Sequence, residues 1–290
     1  MDLTSIKIIK ELLLKHSTKP SKIMGQNFLV DKLILDKIIK SADLSISDTV
    51  LEIGPGIGTL TYALAKKSKK VIAIEKDRFM VDILKETLKD VENVEVIQGN
   101  ALKFDLKNYN LATTNYKVVA NIPYYLTSPL IRKLLESDNP PTEIILMVQK
   151  EVAQRICANP PNMSLLAVSV QFYAKAEIVS YVSKKCFWPS PKVDSVIIKI
   201  TPQKNAGINA ESREKKATTD LFFNIVKAGF SQPRKQLLNN FSKALALSGV
   251  EGLKIDRAKI DVWLLKNNIN PKQRAETLSI TDWKNLTKSY

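Results

Sequence analysis

The chain has 290 residues, of which 44% are hydrophobic. This predicts one large folded domain plus a smaller one, and it excludes wholesale disorder. A net charge of +15 and a pI near 9.6 predict a polyanionic partner, above all nucleic acid, whereas no apolar stretch suits a membrane-spanning helix. A single histidine, His16, and two cysteines, Cys157 and Cys186, argue against a metal site and fit a reduced, cytoplasmic compartment.

The first part of the chain predicts two helices joined by a basic loop. Residues 2–15 have the pattern of an amphipathic helix and carry charges that a signal peptide would not. Residues 16–30 contain lysines and Gly25, which is typical of a loop. The next helix is predicted from four apolar residues at helical spacing: Leu33, Ile34, Ile38 and Ile39.

From Thr49 onward, short β-branched runs alternate with helical segments. Such alternation predicts βαβ units, and therefore a parallel sheet with helices on both faces. The predicted strands are 49–53, 70–74, 94–97, 116–120 and 143–148. The predicted helices between and after them are 58–67, 78–89, 128–137 and 149–157.

The pattern changes in the last part of the chain. Strands at 176–182 and 193–200 have no helix between them, which favours an antiparallel hairpin at the sheet edge. Residues 202–216 are polar without periodicity and predict a linker. We therefore expect a domain boundary after residue 202, with 203–290 forming a small helical domain. Its helices are predicted near 217–229, 233–247, 256–267 and 281–288. Over 221–290 there are twelve Lys or Arg against five Asp or Glu, so this domain is itself basic.

A glycine-rich turn, Gly54-Pro55-Gly56-Ile57-Gly58, follows the first strand of the alternating region. Such a turn lets the backbone approach a ligand, and the helix after it offers N–H groups to negative charge. Glu75 ends the next strand, at the distance where a carboxylate accepts ribose hydroxyls. The G-x-G-x-G spacing, with Asn100 after the third strand as a partner for adenine, favours S-adenosylmethionine over a nicotinamide dinucleotide. A dehydrogenase is the alternative, but no proton-relay residue supports it.

A second pattern, Asn121-Ile122-Pro123-Tyr124-Tyr125, follows the strand predicted at 116–120. It places an amide, a restricted turn and an aromatic ring at the carboxyl end of a strand, where open α/β sheets bind ligands. An aromatic ring can stack on a flat base while amide and carbonyl oxygens accept the protons of an exocyclic amine. The pattern therefore indicates a nucleobase substrate.

Together these motifs resemble the rRNA adenine N6,N6-dimethyltransferase family, in particular its small-subunit (16S) branch. The resembling motifs are Gly25-Gln26-Asn27-Phe28-Leu29, Glu52-Ile53-Gly54-Pro55-Gly56-Ile57-Gly58, Glu75, Asn121-Ile122-Pro123-Tyr124, Phe187-Trp188-Pro189-Ser190-Pro191-Lys192-Val193-Asp194-Ser195 and Arg274-Ala275-Glu276-Thr277-Leu278-Ser279. They span almost the whole chain. The resemblance implies a Rossmann-like, seven-stranded S-adenosylmethionine-dependent methyltransferase sheet with a small C-terminal all-helical domain that binds rRNA.

The resemblance also implies roles for individual residues. The cofactor would be contacted by Asn27, Leu29, Gly54, Glu75, Asn100 and Asn121. Many family members have Asp where this chain has Asn100, whose amide oxygen can still accept from the adenine amine. A basic segment of the family appears here as Gln232-Pro233-Arg234-Lys235-Gln236, with one cation fewer, which predicts one weaker RNA contact.

For the chemistry, the sequence predicts that the Asn121 side-chain oxygen and the Ile122 carbonyl accept the two hydrogens on adenine N6. Pro123 shapes the turn, Tyr124 stacks on one face of a flipped base, and Phe187 covers the other. No general base is required, because the product ammonium can lose its proton to water.

The expected partner is 16S rRNA within the small (30S) ribosomal subunit. The protein is expected to be a monomer and to have no membrane partner. Candidate phosphate contacts are Lys19, Lys22, Arg132, Lys133, Lys150, Arg155, Arg234 and Lys235. Two alternatives stay open at this point. One is a large-subunit rRNA adenine N6-methyltransferase of the macrolide-resistance type, and the other is a non-catalytic RNA-binding assembly factor.

Overall fold

The computed structural model describes residues 1–109, 111–203, 213–247 and 256–290, with the backbone alone for 213–216 and 244–247. The strands are β1 (Phe28–Leu29), β2 (Thr49–Ile53), β3 (Lys70–Glu75), β4 (Val94–Gln98), β5 (Lys117–Asn121), β6 (Glu143–Gln149), β7 (Ala174–Val182), β8 (Phe187–Trp188) and β9 (Ser195–Pro202). The α-helices are α1 (Ile6–Lys15), α2 (Lys32–Ala42), α3 (Thr59–Ala65), α4 (Arg78–Thr87), α5 (Thr127–Leu135), α6 (Lys150–Ile156), α7 (Leu165–Gln171), α8 (Arg213–Gly229), α9 (Leu237–Leu247), α10 (Arg257–Lys266) and α11 (Ile280–Lys288).

Seven strands form one sheet in the order β4-β3-β2-β5-β6-β9-β7. The pairs from β4 to β6 are parallel, and β9 runs antiparallel to β6. The central strands are almost continuously buried, as expected for strands covered by helices on both faces. The strand order reverses between β2 and β5, so the carboxyl ends of these two strands flank a natural ligand crevice.

Local sequence explains where several helices begin. Asp31 caps α2 by accepting from the Ile34 N–H, and Asp77 caps α4 by accepting from the Phe79 N–H. Ser279 and Asp282 form a reciprocal capping box at α11.

The chain divides into two compact units, one made of Met1–Ala153 and Lys175–Pro202, the other of Gln154–Ala174 and Gln203–Tyr290. The first unit contains the sheet. The second has its own aromatic core, in which Phe222, Phe241 and Trp283 are fully buried. In the described parts of the chain, no helix has the length and apolar character needed to cross a bilayer.

The structure agrees with the sequence prediction of alternating strands and helices. It also agrees that β7 lies at the sheet edge next to β9. Other features differ, and among them strands β1 and β8 lie in segments that the sequence predicted as connections. Helix α7 was not predicted, and the structure assigns Gln154–Ala174 to the helical unit, whereas the sequence placed everything before 203 in the first domain. The predicted linker 202–216 is wrong at its end, because α8 begins at Arg213; residues 204–212 lie outside the described residues.

Candidate active site

The turn after β2 is shaped for close approach of a ligand. Gly54 and Gly56 have positive φ angles of 69° and 59°, a conformation that side chains rarely adopt. A Cβ at Gly54 would lie 3.6 Å from Pro123, and one at Gly56 would lie 3.4 Å from the Phe28 ring. The turn therefore presents bare backbone, and its shape fits a ligand that binds against the start of α3.

Glu75 ends β3 beside this turn and is buried. Its two carboxylate oxygens accept the backbone N–H groups of Gly56 (3.0 Å) and Asp77 (2.8 Å). Burial raises the pKa of Glu75, although these N–H groups favour its charged form. The carboxylate is held in one orientation, and each oxygen keeps a lone pair for a ligand hydroxyl.

Glu52, the penultimate residue of β2, is a second acid in the cavity wall. It is 1% exposed, and its Oε2 atom has no hydrogen-bond partner in the described structure. Burial raises the pKa of Glu52 to about 8, and repulsion from Glu75 acts in the same direction. The sequence motif included Glu52 but gave it no role. An unsatisfied buried carboxyl in a ligand cavity suits a donor group that arrives with the ligand.

Asn100 follows β4, and its side-chain oxygen accepts the Leu102 N–H at 3.0 Å. This hydrogen bond leaves a second lone pair for an adenine amine. The loop after Asn100 is fastened by Lys133 of α5, whose amine donates to the carbonyls of Ala101 (3.1 Å), Leu102 (3.0 Å) and Phe104. The prediction that Lys133 contacts RNA phosphates is therefore wrong, since its donors are committed to the backbone.

Asn121 is the last residue of β5, and the sequence Ile122-Pro123-Tyr124 follows it directly. In the described structure the Asn121 amide makes no hydrogen bond, and it faces the cavity. The Tyr124 ring is fixed at its far end, because its hydroxyl hydrogen-bonds the Ser195 Oγ at 2.9 Å. Burial raises the pKa of Tyr124 further above its usual range, which keeps the hydroxyl in its neutral form.

The two-stranded sheet of β1 and β8 contributes Phe28, Leu29 and Phe187 to the cavity lining. Its antiparallel register pairs Leu29 with Phe187 and Phe28 with Trp188. This pairing joins residues separated by more than 150 positions, and it brings two predicted site residues together. Asn27 precedes β1 and donates from its side chain to the Gly25 carbonyl at 3.1 Å.

All ten predicted site residues line one cavity of about 210 Å³ in the first unit: Asn27, Leu29, Gly54, Glu75, Asn100, Asn121, Ile122, Pro123, Tyr124 and Phe187. The structure therefore brings them together, while their division between cofactor and base stays a prediction. Gln26 and the half-exposed Tyr125 also line this cavity, and neither was given a role from sequence.

The remaining candidates for phosphate contacts are exposed side chains. Arg132 is paired with Glu136 at 2.9 Å, and Lys150 lies 5.8 Å from the centre of the Tyr181 ring. The other exposed cations of the set are Lys19, Lys22, Arg155, Arg234 and Lys235.

The sheet order and a cavity at the carboxyl ends of its strands define a Rossmann-like methyltransferase. Solved structures agree with this class. A dimethyladenosine transferase from Plasmodium falciparum superposes with a TM-score of 0.73 at 32% identity, covering 89% of this chain and 95% of that one. The 23S rRNA methyltransferase ErmE superposes with a TM-score of 0.71 over 91% of this chain and 99% of its own, but at 24% identity it shows the fold alone.

Sequence comparison defines the family within that class. A model described as ribosomal RNA adenine dimethylase matches residues 17–286. The ribosomal RNA small subunit methyltransferase A of Clostridioides difficile (strain 630) is 41% identical, covering 98% of this chain and 96% of that relative. This chain therefore belongs to the ribosomal RNA adenine dimethylase family, and the resemblance found in its motifs is confirmed.

Proposed function

We propose that this protein uses S-adenosylmethionine to dimethylate N6 of two adjacent adenosines near the 3′ end of 16S rRNA, in the small (30S) subunit, as part of subunit maturation. The observation that carries the proposal is the uncommitted Asn121 amide, which faces the same cavity as the glycine turn, Glu75 and the Tyr124 ring. The small-subunit name of the 41% identical relative supports this branch over the large-subunit alternative.

The cavity fits the proposed cofactor. Bare backbone at Gly54 and Gly56 suits the methionine end, and the fixed Glu75 carboxylate suits ribose hydroxyls. The unpartnered Glu52 oxygen suits an ammonium donor. When bound, S-adenosylmethionine supplies an electrophilic methyl group on a sulfonium centre.

The chain's own residues prepare the nucleophile. The lone pair of adenine N6 is delocalised into the ring, so the amine is a poor nucleophile. The Asn121 side-chain oxygen and the Ile122 carbonyl accept the two N6 hydrogens, which favours a tetrahedral nitrogen with an available lone pair. Tyr124 stacks on the extruded base, and Phe187 covers its other face. Positioning of this kind can supply about 7–11 kcal/mol of barrier reduction.

The polyanionic substrate is held by exposed cations on both units. A net charge of +15 supports a phosphate-tracking surface, and binding should weaken steeply with salt. In the second unit, the exposed cations Arg234 and Lys235 are candidates for phosphate contacts. We expect the protein to act as a monomer in the cytoplasm.

The test is methyl transfer from labelled S-adenosylmethionine to small subunits that lack the 3′-end modification, with large subunits alongside. Label recovered as N6,N6-dimethyladenosine in small subunits is the expected result. Label in large subunits alone would move the protein to the other branch. Cofactor binding without any transfer would leave an RNA-binding assembly factor.

The Asn121→Ala variant tests the mechanism. Because it removes one of the two acceptors for the amine, we expect transfer to be abolished, while cofactor affinity stays nearly intact because the other five predicted cofactor contacts remain. The control is Asn108→Ala, at an exposed asparagine that does not line the cavity. Turnover by Asn121→Ala at the wild-type rate would refute the assignment.

A further inference from the structure

Residues 19–27 belong to no helix or strand, and the last four of them, Met24 to Asn27, line the cavity as one of its walls. Their hydrogen bonds are mostly internal, as in the Gly25 N–H to Lys22 carbonyl (3.1 Å) and the Gln26 N–H to Ser21 carbonyl (3.0 Å). In the described part of the chain, residues 19–27 make one hydrogen bond outside the segment, from Gln26 Nε2 to Asp77 Oδ2 at 2.7 Å. Apart from its covalent continuation into β1 and the proximity of Gly25 to Pro123, the described segment is therefore held to the rest of the first unit by one side-chain hydrogen bond.

Both the nitrogen and the oxygen of the Gln26 carboxamide make hydrogen bonds. Its nitrogen donates to Asp77, and its oxygen accepts the Ser21 N–H at 2.7 Å. A carboxamide can do both, whereas an ionised carboxylate only accepts and an ammonium only donates. The Gln26 side chain thus holds the segment in its turn through Ser21 and also attaches the segment to Asp77.

Asp77 connects this attachment to the predicted ribose site. It is buried, its Oδ1 accepts the Phe79 N–H at 3.0 Å, and its own N–H donates to Glu75 at 2.8 Å. A continuous path of hydrogen bonds therefore runs from Gln26 through Asp77 to the Glu75 carboxylate. At the near end of this path, Gln26 is the direct neighbour of Asn27.

We propose that Gln26 is a positioning residue for the cofactor, which fixes Asn27 and the adjoining cavity wall against the loop that carries Glu75. This inference rests on the proposed function, because it takes S-adenosylmethionine as the ligand of the cavity. Gln26 acts on binding and not on the reacting atoms. A hydrogen bond to a charged group of this kind corresponds to a change of about tenfold to a hundredfold in cofactor affinity.

Exchanging the donor and the acceptor tests this pairing. Gln26→Glu keeps the acceptor for Ser21 but sets a carboxylate against Asp77. Asp77→Asn keeps the helix cap for Phe79 but sets an amide donor against Gln26. The double variant restores one donor and one acceptor in reversed order. The dissociation constant for S-adenosylmethionine is measured by calorimetry on the full chain, with thermal unfolding as a check on folding.

We expect each single variant to raise the dissociation constant at least tenfold, and the double variant to return it to within about threefold of the wild type. With unmodified small subunits and saturating cofactor, kcat should stay within about threefold in all of them. Gln171→Glu is the matched control, because Gln171 also donates from its side chain, to Ile156 and Ala158, but does not line the cavity.

Wild-type affinity in both single variants would overturn the inference, and so would a double variant no better than the worse single. Either result, with a wild type that binds cofactor and methylates small subunits, leaves the proposed function standing. A wild type that binds no S-adenosylmethionine would overturn the proposed cofactor and this inference together.

Discussion

The hydrogen bond between Tyr124 and Ser195 should set the orientation of the ring that stacks on the substrate base. Ser195 is the first residue of β9 and is fully buried, whereas Tyr124 is half-buried. The oxygen atoms of the two hydroxyls lie 2.9 Å apart. The ring is thus anchored by the sheet at one end and by its own backbone at the other.

The perturbation is a double-mutant cycle of Tyr124→Phe and Ser195→Ala. A hydrogen bond of this type contributes about 0.5–1.5 kcal/mol. At about 1.4 kcal/mol per tenfold in rate, each single change should lower kcat/KM for rRNA by roughly twofold to thirteenfold. Tyr124→Ala, which also removes the stacked ring, should lose about 1–3 kcal/mol of base stacking.

The assay is methyl transfer to unmodified small subunits at saturating cofactor. Because both single changes break the same bond, the double variant should be little worse than the more damaging single. Ser190→Ala is the control, because Ser190 is an exposed serine in the connection between β8 and β9. Its kcat/KM for rRNA should stay within about twofold of the wild type. Fully additive losses, or a Ser195→Ala variant equal to the wild type, would refute the reasoning.

Three further predictions concern two residues near the cavity and one in the helical unit. Lys133→Met should weaken cofactor binding about tenfold, because it removes the donors to three loop carbonyls. The salt dependence of RNA binding should not change. If the slope of log affinity against log salt concentration fell in magnitude by about 0.7–0.9, Lys133 would instead contact a phosphate. Burial raises the pKa of Glu52 from 4.5 to about 8, so the folded state keeps a proton that the unfolded state releases, and this contribution to stability is lost as pH rises across that range. Glu52→Gln should remove a decrease in the free energy of unfolding of up to about 1.4 kcal/mol per pH unit. Denaturant unfolding at pH 5 and pH 8 checks this. If the free energy of unfolding changed between these two pH values as much in Glu52→Gln as in the wild type, the prediction would be contradicted. Gly229→Ala would place a Cβ in steric overlap with the buried Trp283 ring, so it should destabilise the helical unit by about 1–3 kcal/mol. Unfolding followed by tryptophan fluorescence checks this, and Ser231→Ala, at an exposed site, is the control that should not destabilise the unit.

Local pattern was sufficient to predict most of the first unit. The strands β2 to β6 are β-branched runs separated by helices, and their carboxyl ends carry the glycine turn, Glu75, Asn100 and Asn121. Because parallel strands end at one edge of the sheet, these residues could be expected to meet. The cavity lining agrees with that expectation.

The features that sequence did not predict depend on contacts between distant residues. Strands β1 and β8 have two residues each, too short for any periodic signal, and exist because Phe28 pairs with Trp188. Gln26 and Asp77 are 51 positions apart. Lys133 has the composition of a surface cation, and its role depends on a loop that folds beside α5. Helix α7 has seven residues and follows the proline-containing sequence Asn159-Pro160-Pro161-Asn162, which is typical of a loop.

The way the cavity walls are held bears on how a dimethylating enzyme would reload. Two methyl transfers to one nitrogen require two cofactor molecules, so the spent cofactor must leave the cavity and a second one must enter between transfers. The ends of β2 and β3 pair with each other and the end of β5 pairs with β6, so opening the cavity there would break several backbone hydrogen bonds at once. Moving residues 19–27 breaks one external hydrogen bond, from Gln26, at about 1.5–3 kcal/mol. Because this bond holds a segment that lines the cavity, a variant that weakens the Gln26–Asp77 pair should release cofactor faster as well as bind it less tightly.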